Sequence, residues 1–420
     1  MPVYRAVSRV GAAGLLLAPL LASCSGEGPS APQASVKISP ANPPGAVKPD
    51  TPVVVKAVRG TLQDVTVLDK DGRSVEGVMA ADASSWTSRY PLAPATRYRV
   101  NAAVLGSDGR IETASSGFTT TRPQQTMAAE AVFPEQKETV GVGMAVKIGF
   151  DREISDKAAV ERALEVRSSQ PVEGAWRWFD DRNVVFRTKE YWPAGTKVRV
   201  IGHLTGVPLA GGAYGAKDID LQFNVGERVE SFGDARKHEV VVKRDGKTVR
   251  TMPASMGMGG ARKYTTTSGY HLAMEKEYMT VMTSPGIGPG ESGYYQQDVY
   301  WTVRISNSGE YLHSAPWSVG SQGNSNVSHG CINLSPENAK WYHGITHRGD
   351  PVLITGTDRE LEPENGWGYW QLNWQEWLKG SKTQGLTTAA LTDTGGAPAT
   401  REQQMGAPQV EEGGQRLGTP

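Results

Sequence analysis

The stretch NVSHGCIN, residues 326–333, places Cys331 two positions after His329. Residues i and i+2 of an extended strand share a face, so the imidazole and the thiol can lie side by side. Gly330 between them permits a sharp turn and lets backbone N–H groups point toward a reacting oxygen. Asn333 alternates onto the same face as Cys331. The pattern predicts a strand end that presents a reactive thiol.

A reactive thiol needs a base, because free cysteine has a pKa near ~8.5 and only the thiolate attacks carbonyls. His313 ends the strand-like segment 309–313. A partner strand that runs into Cys331 would place this imidazole across from the thiol. A buried structural cysteine is the alternative interpretation of the same residue.

Residues 227–358 are predicted to form a mostly β domain that carries this chemistry. Residues 240–249 read as a hairpin, and residues 300–305 and 351–354 read as strands. Ser335, followed by proline, is typical of a helix N-terminus.

Two β modules are predicted upstream, over residues 35–122 and 123–226. Residues 86–100 and 184–200 share a strand, a proline-containing turn and a Thr-x-x-Arg-Val ending. The two endings lie about 100 residues apart, the size of an immunoglobulin-like sandwich. Apolar residues at helical spacing over 156–164 predict one short helix.

The N-terminus predicts export. Two arginines precede the short apolar run 10–20, which reads as a signal peptide over residues 1–24. Its ending, Leu-Ala-Ser-Cys24, resembles the bacterial lipobox, in which the cysteine is lipidated and becomes the first mature residue. A plain signal peptide with a chance cysteine is the alternative. The Pro-, Ser- and Gly-rich residues 25–50 are predicted to be a flexible tether.

Four tryptophans follow the third domain in a segment, residues 359–380, that is predicted to pack back on that domain as a C-terminal cap. They are Trp367, Trp370, Trp374 and Trp377. Residues 381–420 are rich in Thr, Ala, Gly, Gln and Glu and are predicted to be a disordered tail.

The composition argues against a nucleic-acid partner. Lys+Arg and Asp+Glu number 44 each, so there is no basic footprint for nucleic acid. The chain has two cysteines, and lipidation of Cys24 would leave Cys331 as a free thiol. His343 and His347 have a metal-like spacing but lack the glutamate of a zinc protease, so a solvated or capping role is favoured and no metal is expected.

The spacing around Cys331 resembles a known motif. His313, the fourteen residues 314–327, and then Ser-His-Gly-Cys-Ile-Asn are similar to the signature of L,D-transpeptidases, the YkuD-like enzymes that cross-link peptidoglycan. The residues 313–317 look like the mycobacterial and related actinobacterial form. There the family has a lipobox, tandem immunoglobulin-like modules and a Trp-rich cap, so the resemblance covers almost the whole mature chain.

The resemblance implies a mainly β fold, with two immunoglobulin-like β-sandwich modules followed by a YkuD-like β-rich catalytic domain. It implies that Cys331 is the nucleophile and His313 the general base. The main-chain carbonyl of Ser314 would orient the imidazole. Backbone N–H groups of His329, Gly330 and Cys331 would form the oxyanion hole.

The resemblance also implies a set of substrate contacts. The candidates are Tyr294, Tyr295, Trp317, Ser328 and Asn333. A flap tyrosine would bind substrate and donate to the oxyanion, and Tyr295 is favoured over Tyr294. Trp317 reads equally well as a core residue or as part of the pocket rim. The flap segment 279–289 and the next residue have Pro285 and three glycines, Gly286, Gly288 and Gly290, where a second tyrosine is expected.

The implied reaction is acyl transfer through a thioester, without metal or cofactor. Cys331 would attack a tetrapeptide stem of peptidoglycan, release D-Ala, and pass the acyl group to a diamino acid on an acceptor stem as a 3→3 cross-link. Carbapenem β-lactams would acylate the same thiol, and the lipid anchor would hold the enzyme on the outer face of the cell membrane.

Three alternatives remain. Water as the acceptor would make the chain an L,D-carboxypeptidase. A papain-like wall hydrolase would place its cysteine before its histidine in the chain, whereas here His313 comes before Cys331. A non-catalytic wall-binding lipoprotein could keep the motif as a relic.

Overall fold

The computed structural model describes residues 33–284 and 286–391, which are mainly β. The predicted signal peptide with Cys24 and the final residues 392–420 lie outside the described residues. Two β-sandwiches are followed by a third β-rich domain, so the predicted fold class is confirmed. Within the described residues, no helix is both long and apolar enough to cross a bilayer.

The first module is a sandwich of two sheets, with strand orders β1-β2-β5-β4 and β3-β6-β7. Its strands are β1 (Ser35–Ser39), β2 (Val54–Val58), β3 (Gly60–Asp69), β4 (Gly77–Met79), β5 (Ser85–Ser88), β6 (Arg97–Gly106) and β7 (Ile111–Thr119). Along β6, Tyr98, Val100 and Ala102 are buried and the residues between them are exposed. These three pack with Trp86 and Phe118, because alternation brings one face of each sheet into the core.

The predicted tether over 25–50 is wrong from Ser35 onward. β1 pairs antiparallel with β2, and Val36 and Ile38 pack against the core of the module. Two β-branched residues at alternate positions suffice for an edge strand when a partner strand is available. The predicted first module, which starts at residue 35 and overlaps the predicted tether, already includes this strand.

The second module also has two main sheets. Its strands are β8 (Thr126–Met127), β9 (Ala129–Phe133), β10 (Thr139–Val140), β11 (Val146–Phe150), β12 (Leu164–Ser168), β13 (Glu173–Trp178), β14 (Asn183–Thr188), β15 (Lys197–Gly202), β16 (Tyr214–Gly215) and β17 (Ile219–Val225). The sheets run β10-β17-β15-β12 and β13-β14-β11-β9, each extended by one C-terminal strand. Helix α1 (Lys157–Ala163) confirms the predicted helix. Asp156 caps it by accepting from the N–H of Ala159 at 2.8 Å.

The third domain stacks a five-stranded sheet on a four-stranded one, with orders β20-β19-β18-β26-β21 and β22-β23-β24-β25. Its elements are β18 (Val229–Asp234), β19 (Glu239–Arg244), β20 (Lys247–Pro253), β21 (Gly269–Leu272), β22 (Glu275–Thr283), β23 (Gln296–Arg304), β24 (Tyr311–Ser314), β25 (Ile332–Leu334), helix α2 (Pro336–Ile345) and β26 (Pro351–Thr355). The predicted hairpin is β19–β20, and the predicted helix start is Ser335, which accepts from the N–H of Asn338 at 3.3 Å.

The predicted cap packs on the third domain through residues 359–371, where Arg359 and Leu361 pair with Ser268, and it also packs on the second module. It contains helix α3 (Trp374–Leu378), and it packs on the second module around the buried Arg187. The Arg187 guanidinium lies 4.5 Å from the ring of Trp370 and 4.7 Å from that of Trp377, and it donates to the carbonyl of Leu372 at 2.7 Å. A buried cation attracts aromatic faces, so these contacts hold the tryptophans of the cap against the second module. Gln371 still bonds to the N–H of Tyr270 in the third domain at 2.6 Å.

The predicted disordered tail is wrong for residues 381–391. These include β27 (Leu386–Thr387) and β28 (Ala389–Ala390), which extend the two sheets of the second module beside β13 and β12. The side chains of this segment are small and polar, so no apolar alternation marks it as a strand. Open sheet edges supply the missing hydrogen-bond partners instead.

The second module meets the third domain through backbone hydrogen bonds. The N–H of Gly141 donates to the carbonyl of Arg348 at 2.7 Å, and that of Gly143 to Gly349 at 3.0 Å. Asp350 is buried against Gly141, where a Cβ atom would collide with it. The junction is therefore a close backbone-to-backbone contact.

Candidate active site

The thiol and its predicted base lie on adjacent parallel strands. β24 pairs with β25 in the register Leu312 to Ile332 and His313 to Asn333. Cys331 directly precedes β25, so it lies at the strand end that the sequence predicted. A strand does pair beside His313, but it begins after Cys331 instead of running into it, and His313 lies opposite Asn333.

These residues line a cavity of about 970 Å³. One wall is the β22–β23 hairpin, which forms the flap; the opposite wall is formed by turns before β24 and before β25. Its members include Thr280, Val281, Tyr295, Val299, Gly309, Glu310, His313, Trp317, Ser328, His329, Gly330, Cys331, Asn333 and Arg359. The site has the partly open shape and the mixed polar and apolar walls of a binding site for a small molecule or peptide.

His313 is 3% exposed, and its Nδ1 lies 2.9 Å from the carbonyl oxygen of Ser314. A carbonyl can only accept, so Nδ1 carries the proton and Nε2 of the neutral ring is left as an acceptor. Burial lowers the pKa of His313 to about 4, an effect that the Ser314 carbonyl partly opposes. The imidazole is therefore neutral at physiological pH and oriented by a main-chain group.

The thiol of Cys331 is partly exposed to the cavity, but its sulfur lies deep enough to lose most of its hydration. Burial raises the pKa of Cys331 to about 12; a hydrogen bond from the N–H of Tyr311 lowers it and the charge of Glu310 raises it further. Sγ donates to the carbonyl of Gly309 at 3.5 Å. The resting pair is thus a neutral thiol and a neutral imidazole.

The turn that precedes Cys331 is held by Ser328. Its hydroxyl donates to the carbonyl of Cys331 at 2.6 Å and accepts from the N–H of Gly330 at 3.1 Å. Gly330 has φ +129°, which favours glycine, and its carbonyl accepts from Thr266 at 2.7 Å. One of the three N–H groups expected in an oxyanion hole is therefore engaged within the turn.

His329 is held between two tyrosines. Its ring is stacked on Tyr295 with centroids 5.4 Å apart, and it lies 4.8 Å from the ring of Tyr264. The Tyr295 hydroxyl is 3.2 Å from His329 Nδ1. Tyr295 lines the cavity, whereas the Tyr294 hydroxyl donates to Gln296 on the flap at 3.2 Å. The structure thus brings Tyr295 to the site.

Trp317 and Asn333 occupy different depths of the cavity. Trp317 is 53% exposed, and its ring lies 6.1 Å from that of His313, which places it at the rim. Asn333 is buried, and its side-chain amide donates to Ser318 at 3.1 Å. Its main chain also pairs with Ser255 in both directions. Asn333 therefore ties the cavity floor to neighbouring segments.

The cavity wall also contains a buried ion pair that the sequence did not predict. Glu310 is 2% exposed and pairs with Arg359, with Oε1 and Nη1 3.0 Å apart. A glutamate three positions before His313 is the one signal that the sequence offers. Nothing in it links that position to an arginine 49 residues further along.

The paired histidines after α2 have other neighbours. The ring of His343 lies 5.5 Å from Trp301, and the N–H of His347 donates to Asp350 at 2.8 Å. Across the described part of the chain, no group of three His, Cys, Asp or Glu residues could hold a metal ion.

Two protein families match this chain. The bacterial Ig domain matches residues 45–208, and the L,D-transpeptidase catalytic domain matches residues 232–354. Among solved structures, an LD transpeptidase in complex with imipenem is 36% identical, covering 56% of this chain and all of that chain with a TM-score of 0.47. L,D-transpeptidase 3 from Mycobacterium tuberculosis, with a faropenem-derived adduct, is 32% identical, covering 54% and 98% with a TM-score of 0.45.

Curated relatives match over a longer span. L,D-transpeptidase 5 of Mycobacterium tuberculosis is 37% identical, over 87% of this chain and 82% of the relative. L,D-transpeptidase 2 of the same species is 36% identical, over 79% of this chain and 81% of the relative. Similarity of this extent covers the Ig-like modules as well as the catalytic domain. The chain therefore belongs to the L,D-transpeptidase family.

Proposed function

We propose that the chain forms 3→3 peptidoglycan cross-links by acyl transfer through a Cys331 thioester. The observation that carries the proposal is the neutral His313 imidazole, oriented by the Ser314 carbonyl, in one cavity with the partly exposed Cys331 thiol. A nucleophile, a base and a group that orients the base are the parts that covalent acyl transfer requires.

In the first half-reaction, Sγ attacks the carbonyl of the third residue of a tetrapeptide stem. The thiol proton passes to Nε2 of His313 as the S–C bond forms. The C–N bond to D-Ala then breaks, and His313 returns the proton to the departing amine. Because the resting thiol and imidazole are both neutral, proton transfer accompanies attack and no preformed ion pair is needed.

The negative oxygen formed in this step needs hydrogen-bond donors. The backbone N–H groups of His329 and Cys331 and the hydroxyl of Tyr295 are assigned this role. The Gly330 N–H contributes only if Ser328 releases it, since the Ser328 hydroxyl holds it in the resting turn. Trp317 covers the rim, where a stem peptide would enter.

In the second half-reaction, the side-chain amine of a diamino acid on an acceptor stem attacks the thioester. The new N–C bond replaces the C–S bond, and the amine proton returns to the sulfur through His313. Water in place of the amine gives the L,D-carboxypeptidase reaction. The large, partly open cavity can admit an acceptor peptide as well as a donor, which favours the transferase.

Carbapenems are proposed as covalent inhibitors. A strained lactam carbonyl offers Sγ the same electrophile as the stem peptide and places the same charge on the oxyanion donors. Without an amine acceptor the thioester persists. A lipid anchor at Cys24 is likewise proposed, and it would place the enzyme on the outer face of the cell membrane.

Mass spectrometry of the products formed from a purified tetrapeptide muropeptide tests the function. The wild type should yield a dimer and free D-Ala, and Cys331→Ala should yield neither. A tripeptide product without dimer would assign the carboxypeptidase. A folded wild type that leaves the muropeptide unchanged and stays unmodified by a carbapenem would support the non-catalytic alternative.

A further inference from the structure

The cavity wall beside Cys331 contains a buried ion pair that the mechanism above does not use. Glu310 and Arg359 are joined at 3.0 Å, and their side chains are 3% and 12% exposed. Burying two charges costs hydration, so such a pair is weak support for stability by itself. Its place in the wall of the cavity calls for another role.

Arg359 joins separate segments of the wall. Besides Glu310, its Nη1 donates to the carbonyls of Arg262 and Thr265, each at 3.2 Å. Its Nη2 donates to the hydroxyl of Ser308 at 3.2 Å. The planar guanidinium can hold several acceptors at fixed angles, which an ammonium group cannot.

Glu310 fixes the turn that precedes β24. Its Oε2 accepts from the hydroxyls of Ser306 and Ser308, the latter at 2.5 Å, and its N–H donates to Ser306 at 3.0 Å. Asn365 adds a further hydrogen bond to Ser308 at 2.8 Å. One carboxylate oxygen therefore holds the 306–310 turn, and the other binds Arg359.

The same turn carries the acceptor of the thiol. Gly309 lies between Ser308 and Glu310, with φ +96°, and its carbonyl receives the hydrogen bond from Cys331 Sγ at 3.5 Å. The Glu310 side chain also passes under Gly330, with its Cγ 3.9 Å from the position of a Cβ there. The negative charge of Glu310 thus lies close to the sulfur and disfavours the thiolate.

We propose that Glu310 and Arg359 are positioning residues for the nucleophile. The pair holds the Gly309 carbonyl in place, so that the thiol rests protonated and directed at this carbonyl until a donor stem enters. This inference rests on the proposed function, because it takes Cys331 as the nucleophile. The thiol proton then leaves Gly309 for His313 when the acyl donor is bound.

Two substitutions in the full-length protein test separately the charge of Glu310 and the hydrogen-bonding geometry of Arg359. Glu310→Gln keeps the shape of the side chain but removes its charge, so alkylation of Cys331 by iodoacetamide at pH 7 should rise about tenfold, which corresponds to one pKa unit. Arg359→Lys keeps the charge but loses the fork. It should lower kcat on the tetrapeptide muropeptide about tenfold, with a smaller change in KM and little change in alkylation.

Matched controls come from exposed pairs of the same domain. Glu275→Gln removes a charge that pairs with Arg304 at 3.3 Å, and Arg250→Lys alters an arginine that pairs with Glu337 at 3.6 Å. Both controls should keep the wild-type alkylation rate and kcat. A merely structural pair would lower the melting temperature of the test variants without changing either rate in the folded protein.

The proposal is overturned if folded Glu310→Gln is alkylated at the wild-type rate, or if folded Arg359→Lys keeps the wild-type kcat. If Glu310→Gln does not fold, Ser308→Ala replaces it. Ser308→Ala removes the hydrogen bonds between the Ser308 hydroxyl and both Glu310 and Arg359 but leaves their ion pair in place. It should lower kcat about threefold to tenfold. An unchanged kcat counts against the proposal. Alkylation requires no enzyme activity, so a chain that is inactive on muropeptides fails the proposed function independently of this test.

Discussion

The Nδ1 of His313 lies 2.9 Å from the carbonyl oxygen of the next residue, Ser314. The group that orients the base is thus a peptide carbonyl rather than a carboxylate. A carbonyl fixes the tautomer but adds no full negative charge, so burial dominates and the pKa of His313 falls to about 4. The imidazole is therefore weakly basic, and it lines the same cavity as a thiol that burial keeps protonated.

This relationship predicts an unusual pH dependence. The pKa of Cys331 is about 12, so its alkylation by iodoacetamide should keep rising with pH up to at least pH 10. Carbapenem acylation should instead stay level from about pH 5 to 9 and fall near pH 4, where His313 gains a proton and can no longer accept one. Stopped-flow rates across this range would check both curves. An alkylation plateau near pH 7 would reveal a preformed thiolate and contradict the neutral pair.

Two tryptophans of the C-terminal half, the buried Trp377 and the exposed Trp317, should respond differently to replacement by alanine. Trp377 is fully buried and donates to the carbonyl of Ala175 at 3.0 Å, so Trp377→Ala should destabilise the second module by roughly 3–5 kcal/mol. Trp317 is exposed at the cavity rim, so Trp317→Ala should cost roughly 0.5 kcal/mol or less but slow turnover of the muropeptide. Calorimetry and product analysis on both variants provide the comparison. Equal stability losses would place Trp317 in the core.

The features that could be predicted from the sequence depend on residues that lie close together in the chain. The motif at 326–333 and its histidine pointed to a thiol and an imidazole that do line one cavity, because short spacings can be recognised without knowledge of the fold. Ser335 marked a helix start for the same reason, since a cap acts on the next turn.

The missed features depend on distant pairing. Residues 386–390 are strands because sheet edges of the second module lie open to them, and their own small side chains carry no such signal. The partner of the tryptophan cap is Arg187, a buried cation in a strand, where an apolar residue is the usual occupant. Glu310 precedes β24 and Arg359 follows β26, and these strands belong to different sheets, so the two residues meet only once the sheets of the third domain are packed together.

Glu161 binds the segment that leads into the C-terminal strands β27 and β28, so it should help to hold them on the second module. This buried carboxylate accepts from the backbone N–H of Thr383 at 2.9 Å, the Thr383 hydroxyl at 2.6 Å and the indole of Trp178 at 2.8 Å. In Glu161→Gln, the side-chain NH2 would face groups that are themselves donors, so the free energy of unfolding should fall by roughly 1–3 kcal/mol. Limited proteolysis should then cut near residue 383 faster than in the wild type. As a control, Glu227→Gln, at an exposed pair with Arg244, should leave the cleavage rate unchanged.

Asp350 predicts a loss of stability toward high pH. Burial raises the pKa of Asp350 to about 8, although the N–H of His347 and the charge of Lys276 oppose this. Between about pH 4 and 8 the native state therefore keeps a proton that the unfolded chain releases, so stability falls as pH rises through this window and levels off above it. Asp350→Asn should remove this loss and be more stable than the wild type at pH 9 by roughly 1 kcal/mol or more. Calorimetric melts at pH 5 and pH 9 should show the two proteins diverging, and parallel curves would contradict the buried neutral carboxyl.

Removal of residues 25–122 should leave the chemistry intact. Every residue that lines the cavity lies between Arg262 and Arg359, in the third domain. The first module touches the second through a stack of Tyr90 on His203, with centroids 3.6 Å apart, and a hydrogen bond between Asp50 and Tyr214 at 3.3 Å. Loss of these contacts exposes a small surface far along the chain from the thiol, so muropeptide turnover should stay within about twofold of the full chain. The same truncation with Cys331→Ala measures the background. A truncated protein that folds but no longer turns over the muropeptide would show that the first module does more than act as a spacer.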